Sequence, residues 1–153
     1  MLWWMLFRLD DRADVLIDLG RLEAALDELE QAADLDPTDV GLVGERVWLL
    51  CRLGRNEEAL AESTRAVASG RGTSDELAGV LVNRALALSH LGRLDEALAD
   101  YDRALSVVPG DAAVLDLREL LREAQNERAP LDGFEFGGFE GEQGEIEEVP
   151  GAT

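Results

Sequence analysis

Apolar residues recur every three or four positions along most of this 153-residue chain. Leu9, Ala13 and Leu16 make one such set, Val43, Val47 and Leu50 a second, and Leu81, Ala85 and Leu88 a third. That spacing places each set on one face of an α-helix, where it reads as the core between packed helices. The pattern predicts helices over 1–19, 22–35, 40–53, 56–69, 74–91 and 94–107, with a seventh over 111–128. In the seventh, Val114, Leu117, Leu121 and Ala124 form the apolar stripe, while Asp116, Glu119, Arg122 and Glu123 fall elsewhere. Such a helix suits the end of a stack, with one face covered and the other wetted. From Pro130 on, no helical or strand period survives. Six glycines, seven acids and three phenylalanines share the last 24 residues, a composition that predicts disorder.

The helical part repeats itself. Gly92, Arg93, Ala97, Tyr101, Ala104 and Pro109 set out a series of offsets that recurs as Gly20, Arg21, Ala25, Leu29, Ala32 and Pro37. It recurs again as Gly54, Arg55, Ala59, Ser63 and Ala66, until Arg71 stands in place of the proline. The step from Gly20 to Gly54 is 34 residues, and that from Gly54 to Gly92 is 38. Each glycine ends a helix where a left-handed turn is wanted. The small alanine then lets the second helix approach the first, and the proline stops it. The four extra residues lie in the link Ser69–Ser74, after which Thr73 and Glu76 are spaced for a capping box.

This series resembles the tetratricopeptide repeat family, in three in-phase copies over about residues 6–111. The resemblance implies an all-α, right-handed α-solenoid of about seven helices. Repeats would occupy about residues 6–39, 40–73 and 78–111, with a capping helix over 111–128, giving a domain over 1–129 and an acidic tail over 130–153. Aliphatic residues replace the aromatic ones the family favours in its first helices. The resemblance further implies a concave groove that holds a peptide or helix of a partner protein. On this chain the groove positions would be Phe7, Asp10, Asp14, Ile17 and Asp18, then Gly41, Gly44, Trp48 and Cys51, then Gly79, Val82, Leu86 and Ser89. One subgroup of the family grips the C-terminal carboxylate of heat-shock chaperones with Lys, Asn and Arg. Here Asp10, Asp14, Glu45, Gly79 and Asn83 stand at those places, so that ligand is not expected.

Charge narrows the partners. The chain has no lysine, 14 arginines, 33 acids and a net charge of −19. A polyanion such as nucleic acid needs a clustered cationic footprint, which the scattered arginines do not supply. Removing the seven acids of 130–153 leaves −12 on the rest, so the acidity is distributed. Cys51 and His90 are each the sole residue of their type, which rules out a disulfide within the chain and a thiolate metal cage. Hence no cofactor and no enzymatic activity are expected. The apolar run Met1–Phe7 is too short to cross a bilayer and lacks the marks of a secretion signal, which favours a cytoplasmic protein.

Several features carry two readings. Trp48 beside Gly41 and Gly44 is either an anchor in a slot cleared for a partner's apolar side chain or a packing residue near a frayed helix start. Asp10, Asp14 and Asp18 form either an acidic groove wall for a basic peptide or a solvated face. Arg12, Arg46 and Arg84 occupy equivalent sites, either as a functional basic ladder or, the leading reading, with stems packed on the core edge and heads paired to acids. Met1–Phe7 either packs across the first repeat or mediates self-association, and Phe134, Phe136 and Phe139 make the tail a solvating segment or a docking motif. The leading reading is an interaction adaptor for a basic or apolar partner. The alternative is a structural protein that self-assembles through its N-terminus, with an acidic surface suited to high salt.

Overall fold

The computed structural model describes residues 12–128. Met1–Phe7, Asp10 and the tail with Phe134, Phe136 and Phe139 lie outside the described residues. Every element among the described residues is a helix: α1 (12–18), α2 (Leu22–Leu35), α3 (Val40–Arg52), α4 (Asn56–Ser69), α5 (Ser74–His90), α6 (Leu94–Val107) and α7 (Ala112–Arg128). From α2 on, each packs on the next in chain order, α3 also packs on α5, and α1 joins the first core cluster, so the helix pairs stack.

The repeated glycines do one local job three times. Gly20, Gly54 and Gly92 have φ of 72°, 76° and 77°, the left-handed region that a side chain disfavours. In each case the next residue closes the turn: Arg21 N–H donates to Leu16 O at 2.8 Å, Arg55 to Leu50 at 2.8 Å and Arg93 to Leu88 at 2.9 Å. These are the long-range bonds of a Schellman C-cap, and they satisfy carbonyls that the helix end would otherwise orphan. The second helices α2 and α6 stop two residues before Pro37 and Pro109. In α4 the stop is Gly70 at φ 63°, and α5 begins with a complete capping box between Thr73 and Glu76.

Packing follows the same period. Ala25, Ala59 and Ala97 are fully buried where second helices meet first ones. The position four residues later holds Leu29, Ser63 or Tyr101, all buried. Ser63 resolves its polarity by donating to Ala59 O at 2.7 Å. The three arginines expected at the core edge each reach an acid sixteen residues on: Arg12 to Glu28 at 2.7 Å, Arg46 to Glu62 at 2.8 Å and Arg84 to Asp100 at 2.6 Å. Each pair ties the first helix of a repeat to its second. The Arg84–Asp100 pair is two-pronged and the most buried, and the hydrogen bond to Asp100 raises the guanidinium pKa.

One packing expectation needs correction. In α7, Val114 and Leu121 are buried, but Leu117 is exposed and Leu120 more so. The covered stripe instead runs through Leu115 and Arg118, whose guanidinium meets Asp102 of α6 at 3.1 Å. Positions 117 and 118 both fit helical spacing from 114 and 121, and the crossing of α7 over α6 selects the arginine stem.

Candidate functional site

A cleft of about 390 Å³ opens where α1, α3 and α5 lie side by side. It is lined by Asp14 and Ile17 of α1, Gly41, Gly44, Glu45 and Trp48 of α3, and Glu76, Gly79 and Asn83 of α5, with Val40 and Val80 beside them. Three first helices thus contribute to one concave surface. Asp14, Glu45 and Glu76 give it three carboxylates, and its lining holds no arginine. All three residues are solvent-exposed, so together they give the cleft rim a negative potential that salt screens.

The glycines shape this cleft. None of Gly41, Gly44 and Gly79 has a positive φ, so no backbone strain demands glycine there. A Cβ on Gly79 would meet nothing within 4 Å, and one on Gly44 would make only an ordinary 3.7 Å contact with Val80. At Gly41 the neighbour is the Oδ1 of Asp39 at 3.1 Å, the atom that caps α3 by accepting from Leu42 N–H. Gly44 and Gly79 therefore cost helix propensity with no steric return inside the chain, and what they leave is space in the cleft.

Trp48 stands between the core and the cleft. The ring is half-buried, packs against the first core cluster and also lines the cleft, with the guanidinium of Arg52 5.2 Å from its centroid. Arg52 supports the ring by a cation–π contact. Asn83 donates from Nδ2 to Gly44 O at 2.9 Å, which ties α5 to α3 across the cleft floor. Glu76 accepts from Thr73 N–H at 2.6 Å, so the α5 cap holds that carboxylate at the cleft rim.

Other sequence-assigned groove residues fall elsewhere. Cys51 is buried in the first core cluster, its thiol 3.7 Å from Asn83 O, and burial pushes its pKa up to about 11. Leu86 packs against that same cluster and Val82 against the second. Ser89 donates to its own helix at Ala85 O, 2.7 Å away. Asp18 is exposed and does not line the cleft. Cys51 and Leu86 instead belong to the buried cluster that α3 and α5 share with α1 and α2. Val40, Glu76 and Val80 were missed as lining residues, although the capping box already placed Glu76 in the first turn of a groove helix. His90 lies with Nδ1 3.0 Å from Asn56 Oδ1, a link between successive repeats. Among the described residues no group of three His, Cys, Asp or Glu is placed to hold a metal ion, and no helix is long and apolar enough to cross a membrane.

Two tetratricopeptide repeat models match the sequence, over residues 16–81 and 78–111. The chain belongs to the tetratricopeptide repeat family, and its fold is the all-α solenoid of helical repeats. A search of curated proteins finds no match. Among solved structures, the first repeat domain of human RPAP3 is similar with TM-score 0.72 and 24% identity, over 80% of this chain and 94% of that one. The second human RPAP3 domain, in complex with the HSP70 peptide SGPTIEEVD, gives TM-score 0.69 and 21% identity over 80% and 98%. A tetratricopeptide repeat protein from Parabacteroides merdae gives 27% identity and TM-score 0.63, over 80% of this chain and 48% of that one.

Proposed function

We propose that the chain is a protein-interaction adaptor whose concave cleft takes a basic or apolar peptide or helix of a partner. The observation that carries this reading is the cleft itself: an aromatic wall at Trp48, a glycine floor, and three carboxylates with no arginine. An apolar side chain would seat beside Trp48, and a neighbouring Arg or Lys would meet Asp14 and Glu76 at the rim. The contact set is thus Asp14, Ile17, Gly41, Gly44 and Trp48 from the groove positions, with Glu76 and Gly79 added. A binding module rather than an enzyme is also the reading that the repeat fold supports.

The peptide bound by the second human RPAP3 domain ends in Glu-Glu-Val-Asp. This cleft would repel such a tail, because acids and a glycine stand where a carboxylate grip needs Lys and Arg. The test is fluorescence anisotropy with three labelled peptides of equal length: a basic-apolar helix former, a neutral one, and SGPTIEEVD. The basic-apolar peptide should bind, with affinity falling as salt rises. Preference for SGPTIEEVD would refute the reading.

A second reading, self-association through the N-terminal end, draws support from Val15 of α1 and Leu19 in the turn after it, which are 57% and 66% exposed. Val15→Ser with Leu19→Ser should lower the mass seen by light scattering if that face is an interface; a monomeric parent chain at micromolar concentration refutes it.

A further inference from the structure

A second cavity, of about 490 Å³, meets the concave cleft at Val40 and extends along the other flank of α3. At about 100° per residue, Val43 and Arg46, which line it, point largely opposite to Trp48. Its character is inverted. Arg46, Arg65 and Arg71 surround an apolar floor of Val40, Val43 and Ala66, with Glu62 as the carboxylate. Glu62 is already engaged by Arg46 at 2.8 Å, and Arg46 Nε is buried without a hydrogen-bond partner. Arg65 and Arg71 are exposed and form no ion pair with any described acid, in a chain where acids outnumber arginines 33 to 14.

The four-residue departure from the repeat period builds this cavity. Gly72, at φ 86°, brings the link so close that a Cβ there would lie 2.9 Å from Val40. That approach sets Arg71, which replaces the repeat's proline, at the cavity edge.

We propose that this arginine-lined cavity docks the chain's own acidic segment 140–149, whose Glu140, Glu142, Glu145, Glu147 and Glu148 flank Ile146 and Val149. Charge complementarity selects it: the segment carries no arginine, and the concave cleft, with its three carboxylates, repels it. Reach permits it. The end of α7 lies near the start of α6, where Gln125 bonds to Asp95, so a chain leaving Arg128 must cross to the other end of the stack. Three helix spacings of about 10 Å and one helix length of about 25 Å set a path on the order of 40 Å. About twelve extended residues cover that distance, which brings Glu140 to the cavity. Ile146 and Val149 then meet the apolar floor while the glutamates meet Arg65 and Arg71. The concave cleft stays open, so the contact is a brace rather than a plug.

The test uses the full chain labelled with ¹⁵N and a variant with Glu140, Glu142, Glu145, Glu147 and Glu148 all replaced by Gln. Docking predicts amide shift differences at Val43, Ala66 and Arg71, and none at Gly44 or Gly79. With Arg65→Ser and Arg71→Ser in the background, those differences should shrink roughly fivefold, the joint effect of two partly exposed ion pairs. Differences confined to 140–149, or centred on Gly44 and Gly79, overturn the proposal. Differences that grow with protein concentration also overturn it, because they assign the segment to a second copy.

Discussion

Replacing Gly79 by alanine separates what the fold needs from what the cleft needs. The residue sits in the sixth position of α5, in ordinary helical backbone, and a Cβ there meets nothing within 4 Å. Alanine should therefore gain the full propensity difference of about 1 kcal/mol. Gly44→Ala should gain a similar amount, helped by a 3.7 Å contact with Val80. For a helical body of this size, 1 kcal/mol corresponds to a rise of about 4 °C in Tm. Gly72→Ala is the opposing control, since φ of 86° and a 2.9 Å approach to Val40 make it strained, with a loss of more than about 1 kcal/mol. The assay is thermal unfolding by circular dichroism, paired with anisotropy of the basic-apolar peptide. Gly79→Ala and Gly44→Ala should raise Tm and weaken capture together. Two results refute the reasoning: a lowered Tm, which would mean that the space is needed inside the chain, or a raised Tm with unchanged capture, which would mean that the space is not used.

Other consequences follow from the same geometry. Arg84→Ala removes the two-pronged partner of the nearly buried Asp100, which keeps Arg103 at 3.8 Å, and Arg12→Ala removes the guanidinium that pairs with the buried Glu28; each should cost about 2–3 kcal/mol in urea unfolding. Thr73→Ala removes the capping box and should cost about 1 kcal/mol by the same measurement. Cys51 has a folded pKa of about 11 against an ordinary 9.0, so its thiol favours the folded state while neutral. That contribution is complete below pH 9 and is lost as pH rises toward 11, and Cys51→Ala should flatten this part of the stability profile. The native thiol should also resist alkylation at pH 8 and react once the chain is unfolded in urea.

The repeat was legible because its marker residues act locally. Gly20, Gly54 and Gly92 close turns that only a left-handed residue closes well, and Pro37 and Pro109 stop helices whatever surrounds them. The arginine pairs were legible for a related reason, since a charge at a core edge must find a partner within the length of its own stem. Cys51, Leu86 and Leu117 were misplaced because each sits on a helix flank, where spacing alone allows two faces and only the crossing of the neighbouring helix decides. The arginine-lined cavity was hidden for the opposite reason. Arg71 registered as a failed proline, and the closeness of Gly72 to Val40 exists only once α3 and α5 are packed.

The most direct test of the central claim is the affinity of the basic-apolar peptide for the parent chain and for Trp48→Ala, each checked for folding by circular dichroism. Loss of the ring should weaken binding at least tenfold, the effect of one aromatic anchor in a desolvated recess. Unchanged affinity on a folded Trp48→Ala chain would contradict the claim that this cleft is where the partner sits.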